Sequence, residues 1–417
     1  MTDNMGRQPN QRSRKLPTGF KQTEVGIIPT DWQLKPLGAL VSSVEYGSAA
    51  KSNAQGVTPV LRMGNLQSGK IDWNDLVYTD DAKEIAKYRL RPDDVLFNRT
   101  NTIDLVGKTA IYLGEQPAIF AGYLIRINIL RELLNPRYLN YILNTEFAKK
   151  HSSKVLSVAV GQANINGQKL KTYPIPLPPT LAEQEAIASA LSDADGLIES
   201  LEQLIAKKRQ IKHGTMQELL TGQRRLPGFS GKWEVKQLGE CGEIIMGQSP
   251  SGTTYNQKGI GTPLINGPTE FTARFPVKMQ WTTAPERFCK AGDLLICVRG
   301  SSTGRTNFAD DTYSIGRGVA AIRAAGRNNT EFISLQVVSA VNLILLAATG
   351  STFPSVDAAS FKKILIALPA PNEQTAIAQI LSEMDAEIAA LETKLAKARQ
   401  VKQGMMQQLL TGRIRLV

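Results

Sequence analysis

Two stretches of the chain place apolar residues at alternating steps of four and three. The first runs through Ile187, Leu191, Ala194, Ile198, Leu201 and Ile205; the second through Ile377, Leu381, Met384, Ile388, Leu391 and Leu395. That spacing draws one apolar seam along a helix, suited to pairing with another helix. Glu183, Glu185, Asp193 and Asp195 crowd the early turns, and Lys207, Lys208, Arg209 and Lys212 the late ones, as the helix dipole favours. Pro178 and Pro179 stop the helix upstream, and Gly222 is placed to end it. Long helices are therefore expected over 179–222 and 370–412. Roughly 40 residues at about 1.5 Å each give about 60 Å of helix. One such segment could be an amphipathic helix lying on its own domain. Its length and its second copy favour an antiparallel coiled coil, with Ile187, Leu191, Ile198, Leu201, Ile205, Ile377, Leu381, Ile388, Leu391 and Leu395 at the seam.

The two copies are close. Glu183-Gln184-Glu185-Ala186-Ile187-Ala188 returns as Glu373-Gln374-Thr375-Ala376-Ile377-Ala378, and the match continues without a gap to Leu409-Leu410-Thr411-Gly412, with 23 of 40 positions identical. A weaker correspondence precedes each copy. Trp32, Leu37 and Gly38 match Trp233, Leu238 and Gly239; Pro59-Val60-Leu61 matches Pro263-Leu264-Ile265. Asp94-Val95-Leu96 matches Asp293-Leu294-Leu295, and Ile175-Pro176-Leu177-Pro178 matches Ile366-Ala367-Leu368-Pro369. Each half is a divergent globular block followed by a preserved helix, the signature of an internal repeat.

Within the blocks, at about 20–175 and 227–365, short β-rich runs at 94–97, 110–113, 124–129 and 293–298 lie between Gly, Asn and Asp turns. Helices are expected near 136–150 and 331–347. The pattern is α+β, without regular βαβ alternation. The chain also reads Arg225-Leu226-Pro227-Gly228-Phe229 before Trp233, Lys15-Leu16-Pro17-Thr18-Gly19-Phe20 before Trp32, and Arg413-Ile414-Arg415-Leu416-Val417 after the second helix. The two ends resemble one inter-repeat junction cut open, which predicts a cyclic arrangement with a pseudo-twofold axis.

Among 417 residues the formal net charge is +12. Such an excess favours a polyanionic partner, because each Lys or Arg meeting a phosphate releases a condensed counterion. Cys241, Cys289 and Cys297 are odd in number and form no CxxC pair, which argues against a disulfide framework or zinc module. His151 and His213 are too few for a metal or His-based acid–base centre, so no metal is expected. The apolar stretch 332–349 is interrupted by Ser334, Gln336, Ser339 and Asn342 and reads as a buried helix rather than a membrane span. The first fifteen residues lack the apolar core of a signal peptide, so a cytoplasmic, prokaryotic location is expected.

Two motifs invite an enzymatic reading. Gly64-Asn65-Leu66-Gln67-Ser68-Gly69-Lys70 matches most of a phosphate-binding loop, but Ile71 follows where that loop needs Ser or Thr. Asn135-Pro136-Arg137-Tyr138 resembles the tetrapeptide of adenine amino-methyltransferases, with Arg137 in place of the second proline. It reads more simply as a helix start with proline in the first turn. No catalytic residue is nominated.

Two variable blocks alternate with two closely similar helices, each beginning near a Leu-Pro (Leu177-Pro178 and Leu368-Pro369) with Glu-Gln following and ending at Leu-Leu-Thr-Gly. This order resembles the specificity subunit of type I restriction–modification systems. Thr23-Glu24-Val25-Gly26-Ile27-Ile28-Pro29-Thr30-Asp31-Trp32 is similar to the family's lead-in to its first recognition domain, and Leu226-Pro227-Gly228-Phe229 to that of the second. Gly161-Gln162-Ala163-Asn164-Ile165-Asn166 resembles a loop late in such domains; Gly350-Ser351-Thr352-Phe353-Pro354-Ser355 stands there in the second block.

The resemblance implies a basic segment at 1–19, target-recognition domains at 20–178 and 223–369, the long helices between and after them, and a tail at 413–417. It implies a non-catalytic subunit that reads a bipartite, asymmetric site on double-stranded DNA. Two methyltransferase subunits would dock on the helices, and restriction–translocation subunits would join them. S-adenosylmethionine, ATP and magnesium would sit on those partners and none on this chain. As a spacer, about 60 Å of helix caps the half-site separation at roughly 17–18 base pairs.

Base edges are read by Arg on guanine and by Asn or Gln on adenine. The candidates are Arg62, Asn65, Asn98, Arg99, Asn101, Lys108, Gln162, Asn164 and Asn166 in the first block. In the second they are Asn266, Arg299, Ser302, Arg305, Arg317, Thr352 and Ser355, with Arg99 and Arg299 taken as a matched pair. A stand-alone adenine-N6 DNA methyltransferase and a DNA-independent coiled-coil scaffold are the alternatives.

Overall fold

The computed structural model describes residues 16–416 apart from 160, 273 and 348–355. The basic segment up to residue 15, the loop carrying Thr352 and Ser355, and Val417 lie outside the described residues. By packing, the chain divides into two compact units, residues 1–201 with 394–417, and residues 202–393. The boundaries fall inside the long helices, which run over Leu181–Leu220 and Pro371–Leu409.

The first unit is built on a six-stranded sheet. Its order is Val41–Tyr46, Leu124–Ile129, Asp94–Asn98, Thr109–Tyr112, Gly69–Ile71 and Leu66–Gln67, antiparallel except where Thr109–Tyr112 meets Gly69–Ile71. The central strand explains the continuous apolar run around residue 95. Val95 and Phe97 enter the core that holds Tyr138, Leu139 and Ile142, while Leu96 enters a second core with Leu61, Phe120 and Leu124. Side chains alternate faces along a strand, so a strand buried on both faces has no polar position to spare. The second unit repeats this with four strands, Gly242–Met246, Val319–Ala324, Leu294–Cys297 and Thr306–Phe308. Leu294 and Ile296 face one core there, Leu295 and Cys297 another.

The expected helix at 136–150 is two helices, Pro136–Leu143 and Glu146–Val155. Thr145 causes the break: its hydroxyl donates to the Ile142 carbonyl and accepts from the Ala148 amide. Such short polar side chains offer the backbone partners outside the helical ladder. Asn135 caps the first helix, with Pro136 in its first turn, and the Tyr138 hydroxyl donates to the Pro176 carbonyl. Tyr138 is fully buried, so the Asn135–Tyr138 tetrapeptide presents no ring to a flipped base. The glycine-rich run at 64–70 is a hairpin, whose loop residues Ser68 and Gly69 both have positive φ (52° and 86°).

Pieces of both long helices meet inside each unit. In the first, Ile187, Ala188 and Leu191 share a core with Met405, Met406, Leu409 and Leu410, and Lys402 pairs with Asp195 at 2.6 Å. In the second, Met216, Leu219 and Leu220 pack with Ile377, Ala378, Leu381 and Met384. Lys208–Glu387 (2.6 Å), Arg209–Glu392 (2.5 Å) and Lys212–Asp385 (2.5 Å) flank that contact. Of the other seam residues Leu201, Ile205 and Ile388 are buried, and Ile198, Leu391 and Leu395 half-buried. Each fully buried Leu or Ile contributes about 1.5–3 kcal/mol.

The preserved Glu-Gln pair fastens each head to its helix. Glu183, almost fully buried, accepts two bonds from the Arg415 guanidinium, which also lies 5.9 Å from the Trp32 ring. Glu373 accepts the equivalent pair from Arg225 (2.6 and 2.7 Å), itself 5.6 Å from the Trp233 ring. The neighbouring amide serves the head: Gln184 Oε1 accepts from the Asn135 amide, and Gln374 Oε1 from that of Asn329, each at 2.9 Å.

Candidate nucleic-acid interface

At one end of the central sheet in each unit, the same main-chain bonds build a platform floored by glycine. In the first unit Gly47 N–H donates to Leu124 O, Ser48 N–H to Phe120 O, Arg99 N–H to Tyr123 O, and Ile165 N–H to Arg99 O. In the second Gly247 N–H donates to Val319 O, Gln248 N–H to Ile315 O, Val298 N–H to Gly318 O, and Val356 N–H to Val298 O. The glycines are required by close approach. A Cβ on Gly47 would lie 2.3 Å from Phe120 O, and one on Gly247 2.3 Å from Gly316 O. Backbone thus fixes the platform, and the side chains above it are free to differ.

In the first unit the platform gathers several sequence candidates. The Arg99 guanidinium lies 4.9 Å from the Tyr46 ring centre and donates to Gly122 O and Asn164 Oδ1, both at 3.4 Å. Asn164 in turn donates to Thr100 Oγ1 at 2.8 Å. The strand Gln162–Asn164 pairs with Thr100–Asn101, which brings exposed Gln162 and half-buried Asn101 to the same edge. Asn101 also accepts from the Thr102 amide, and exposed Asn166 caps the short helix Gly167–Leu170. Lys108 stands further along, donating to Gln67 Oε1 at 2.9 Å.

In the second unit Arg299 and Arg317 are exposed, and their guanidinium groups make no ion pair or hydrogen bond among the described residues; the Arg317 amide donates to Ser249 Oγ at 3.0 Å. Arg305 is exposed and reaches the Phe271 carbonyl at 3.3 Å. Asn266 donates to Gln280 Oε1 at 3.0 Å, beneath Gly316 and Gly318. Ser302 is half-buried in the short turn Gly300–Ser302.

Three sequence expectations need correction. Asn65 is 3% exposed, and its side chain is spent on Arg62 N–H and on the Asp72 and Asn74 carbonyls, so it shapes a loop. Asn98 is fully buried and holds Leu105 O and Thr100 N–H. Arg62 remains a candidate: half-buried and bound to Asp75 at 3.1 Å, it follows Leu61, whose carbonyl accepts from the Ala121 amide beside the platform. Finally, Arg99 and Arg299 are not equivalent. The bonds to Tyr123 O and Gly318 O align Arg99 with Val298, and Arg299 with Thr100. A shift of one residue along an extended chain sends the side chain to the opposite face. Lys108 and Arg305 are the basic pair that does align, since their carbonyls accept from Asn98 N–H and Cys297 N–H. Tyr46 was missed, because an isolated tyrosine in a strand carries no local signal of what it supports.

The thiols show no activation. Burial pushes Cys289 up to about 12 and Cys297 up to about 11, and it raises Cys241 as well. His151, near Thr172 and Tyr173, has its pKa lowered by burial. Among the described residues no helix is long and apolar enough to cross a membrane.

Comparison with known proteins places these features. The type I restriction modification DNA specificity domain matches residues 29–210 and again 230–400. The MjaX type I restriction enzyme specificity subunit of Methanocaldococcus jannaschii is 34% identical over 414 residues, covering 95% of this chain and 97% of that protein. The crystal structure of a type I restriction–modification S subunit from M. genitalium is similar with a TM-score of 0.62 at 15% identity, over 91% of this chain and 96% of the other. A chain from a structural study of complex assembly and conformational transition in the type I system aligns with a TM-score of 0.56 at 23% identity, over 93% and 99% of the two chains.

Proposed function

This chain belongs to the type I restriction modification DNA specificity family, and from that premise we propose how its two heads divide the work. It is a specificity subunit and not itself an enzyme. Each head reads one half of a split DNA site: phosphate contacts set the register, and side chains at base edges decide the sequence. The observation that carries this reading is the repeated platform, whose backbone is the same in both units while the side chains over it are not. Equal scaffolds with unequal side chains suit one task performed on two different sequences.

The long helices act as an antiparallel pair and as the docking surface for two methyltransferase subunits. Within the second unit, Lys208, Arg209 and Lys212 pair with Glu387, Glu392 and Asp385 on the other helix, which supports that direction. The matched Arg415–Glu183 and Arg225–Glu373 bonds support a cyclic repeat, because the segment after each helix fastens to the start of the other. Restriction subunits complete the assembly. S-adenosylmethionine, ATP and magnesium reside on the partners, in the cytoplasm of a prokaryote. Of the sequence candidates Arg62, Arg99, Asn101, Lys108, Gln162, Asn164, Asn166, Asn266, Arg299, Ser302, Arg305 and Arg317 stand as DNA contacts.

Selection from a random duplex pool tests this proposal, using the chain assembled with its methyltransferase subunits. The expected product is two blocks of defined bases separated by a constant number of undefined ones. One continuous block, or no enrichment, would contradict it.

A further inference from the structure

The two platforms each carry one arginine on the same floor, delivered from different strands. In the first unit Arg99 reaches across from the end of Asp94–Asn98, and Gly122 opposite leaves it room. In the second unit the residue aligned with Arg99 is Val298, which is fully buried. The residue aligned with Gly122 follows from Ser48 N–H donating to Phe120 O and Gln248 N–H to Ile315 O; it is Arg317. The guanidinium lost at one position is therefore restored at its neighbour across the strands. Arg299, aligned with buried Thr100, belongs to the other side of the chain.

Resting on the reading of the heads as DNA readers, we propose that Arg99 and Arg317 are the base-reading arginines, one for each half-site. Tyr46 is the positioning residue that holds Arg99 in place. A guanidinium offers donors in a fixed plane that match guanine O6 and N7. Arg99 is preorganised for that task. Its face rests on Tyr46, two bonds orient its terminal nitrogens, and its buried Nε has no partner among the described residues. The Tyr46 hydroxyl also accepts from the Gly167 amide at 2.7 Å, which ties the arginine to the 161–166 segment. Met246 takes the place of Tyr46 in the second unit, so Arg317 has no aromatic rest among the described residues and pays more ordering entropy on binding.

The test uses the complex with its methyltransferase subunits and three duplexes: the selected split motif and two versions with one half scrambled. Affinities are read by fluorescence anisotropy. Arg99→Ala should abolish discrimination at one half-site and Arg317→Ala at the other, each costing about 5- to 150-fold on the intact motif. Arg99→Lys and Arg317→Lys, which keep the charge, should lose discrimination while retaining binding to scrambled DNA. Arg299→Ala should weaken all three duplexes alike. Tyr46→Ala should copy Arg99→Ala, and Tyr46→Phe, which keeps the ring, should restore most of the discrimination. The proposal is overturned if Arg299→Ala erases a half-site that Arg317→Ala leaves intact, or if Tyr46→Ala reads DNA as the unaltered chain does. Equal affinity of the unaltered complex for all three duplexes would instead remove the DNA-reading function itself.

Discussion

Replacing Arg415 with alanine strips the counterion from a carboxylate that has no solvent to turn to. The Glu183 side chain is 1% exposed and takes both of its charge-assisted bonds from Arg415, which is 34% exposed. Removing one partner of a fully buried pair costs about 3–5 kcal/mol. The exposed third of the arginine screens part of that, leaving about 2–3 kcal/mol. In a unit formed by residues 1–201 with 394–417, each kcal/mol moves the melting midpoint by about 2–4 °C. The transition of the first unit should therefore fall by about 4–12 °C in differential scanning calorimetry. Arg225→Ala should lower the transition of the second unit, where Arg225 holds Glu373. Glu183→Ala combined with Arg415→Ala should cost less than the sum of the two, because no charge is then stranded; the coupling should exceed about 1 kcal/mol. An Arg415→Ala midpoint within a degree of the unaltered chain would refute the reasoning, as would strict additivity.

Other consequences are as direct. Gly47→Ala or Gly247→Ala should destabilise its own unit by about 3 kcal/mol, since the new methyl meets a backbone oxygen at 2.3 Å. Gly196→Ala, in open space on the first long helix, should instead stabilise by up to about 1 kcal/mol in urea titration. Gln184→Ala leaves the Asn135 amide and the Leu133 carbonyl without partners inside the protein, which should cost about 1–3 kcal/mol in the same assay. Cys289, raised to about 12, and Cys297, raised to about 11, should resist alkylation at pH 8 until denaturant is added. Because unfolded thiols ionise from about pH 8.5 while the buried ones keep their protons, stability should fall as pH rises past about 9. A rise over that range would reverse the assignment of burial as the cause.

The long helices were legible because a period of 3.6 and a second copy are properties of local sequence. The strand at 94–98 was legible for the same reason, its apolar run being the mark of burial on both faces. What the Glu-Gln motif does was not, since Glu183 finds Arg415 across 232 residues of chain. Turn-side asparagines misled for a physical reason: the amide that suits an adenine edge suits a loop backbone equally, as Asn65 and Asn98 show. The mismatched arginines had a readable cause. Aligning Asp94 with Asp293 already sets Val298 opposite Arg99. Arg317 stayed hidden because its equivalence to Gly122 is written in hydrogen bonds, with no shared residue type to announce it.

Methylome sequencing of a prokaryotic host, with and without this chain beside its methyltransferase partners, tests the division of labour most directly. Methylated adenines should appear only with the chain present, in a two-part motif whose halves differ and whose gap is constant. Methylation at one undivided palindrome, or an unchanged pattern when the chain is withdrawn, would contradict it.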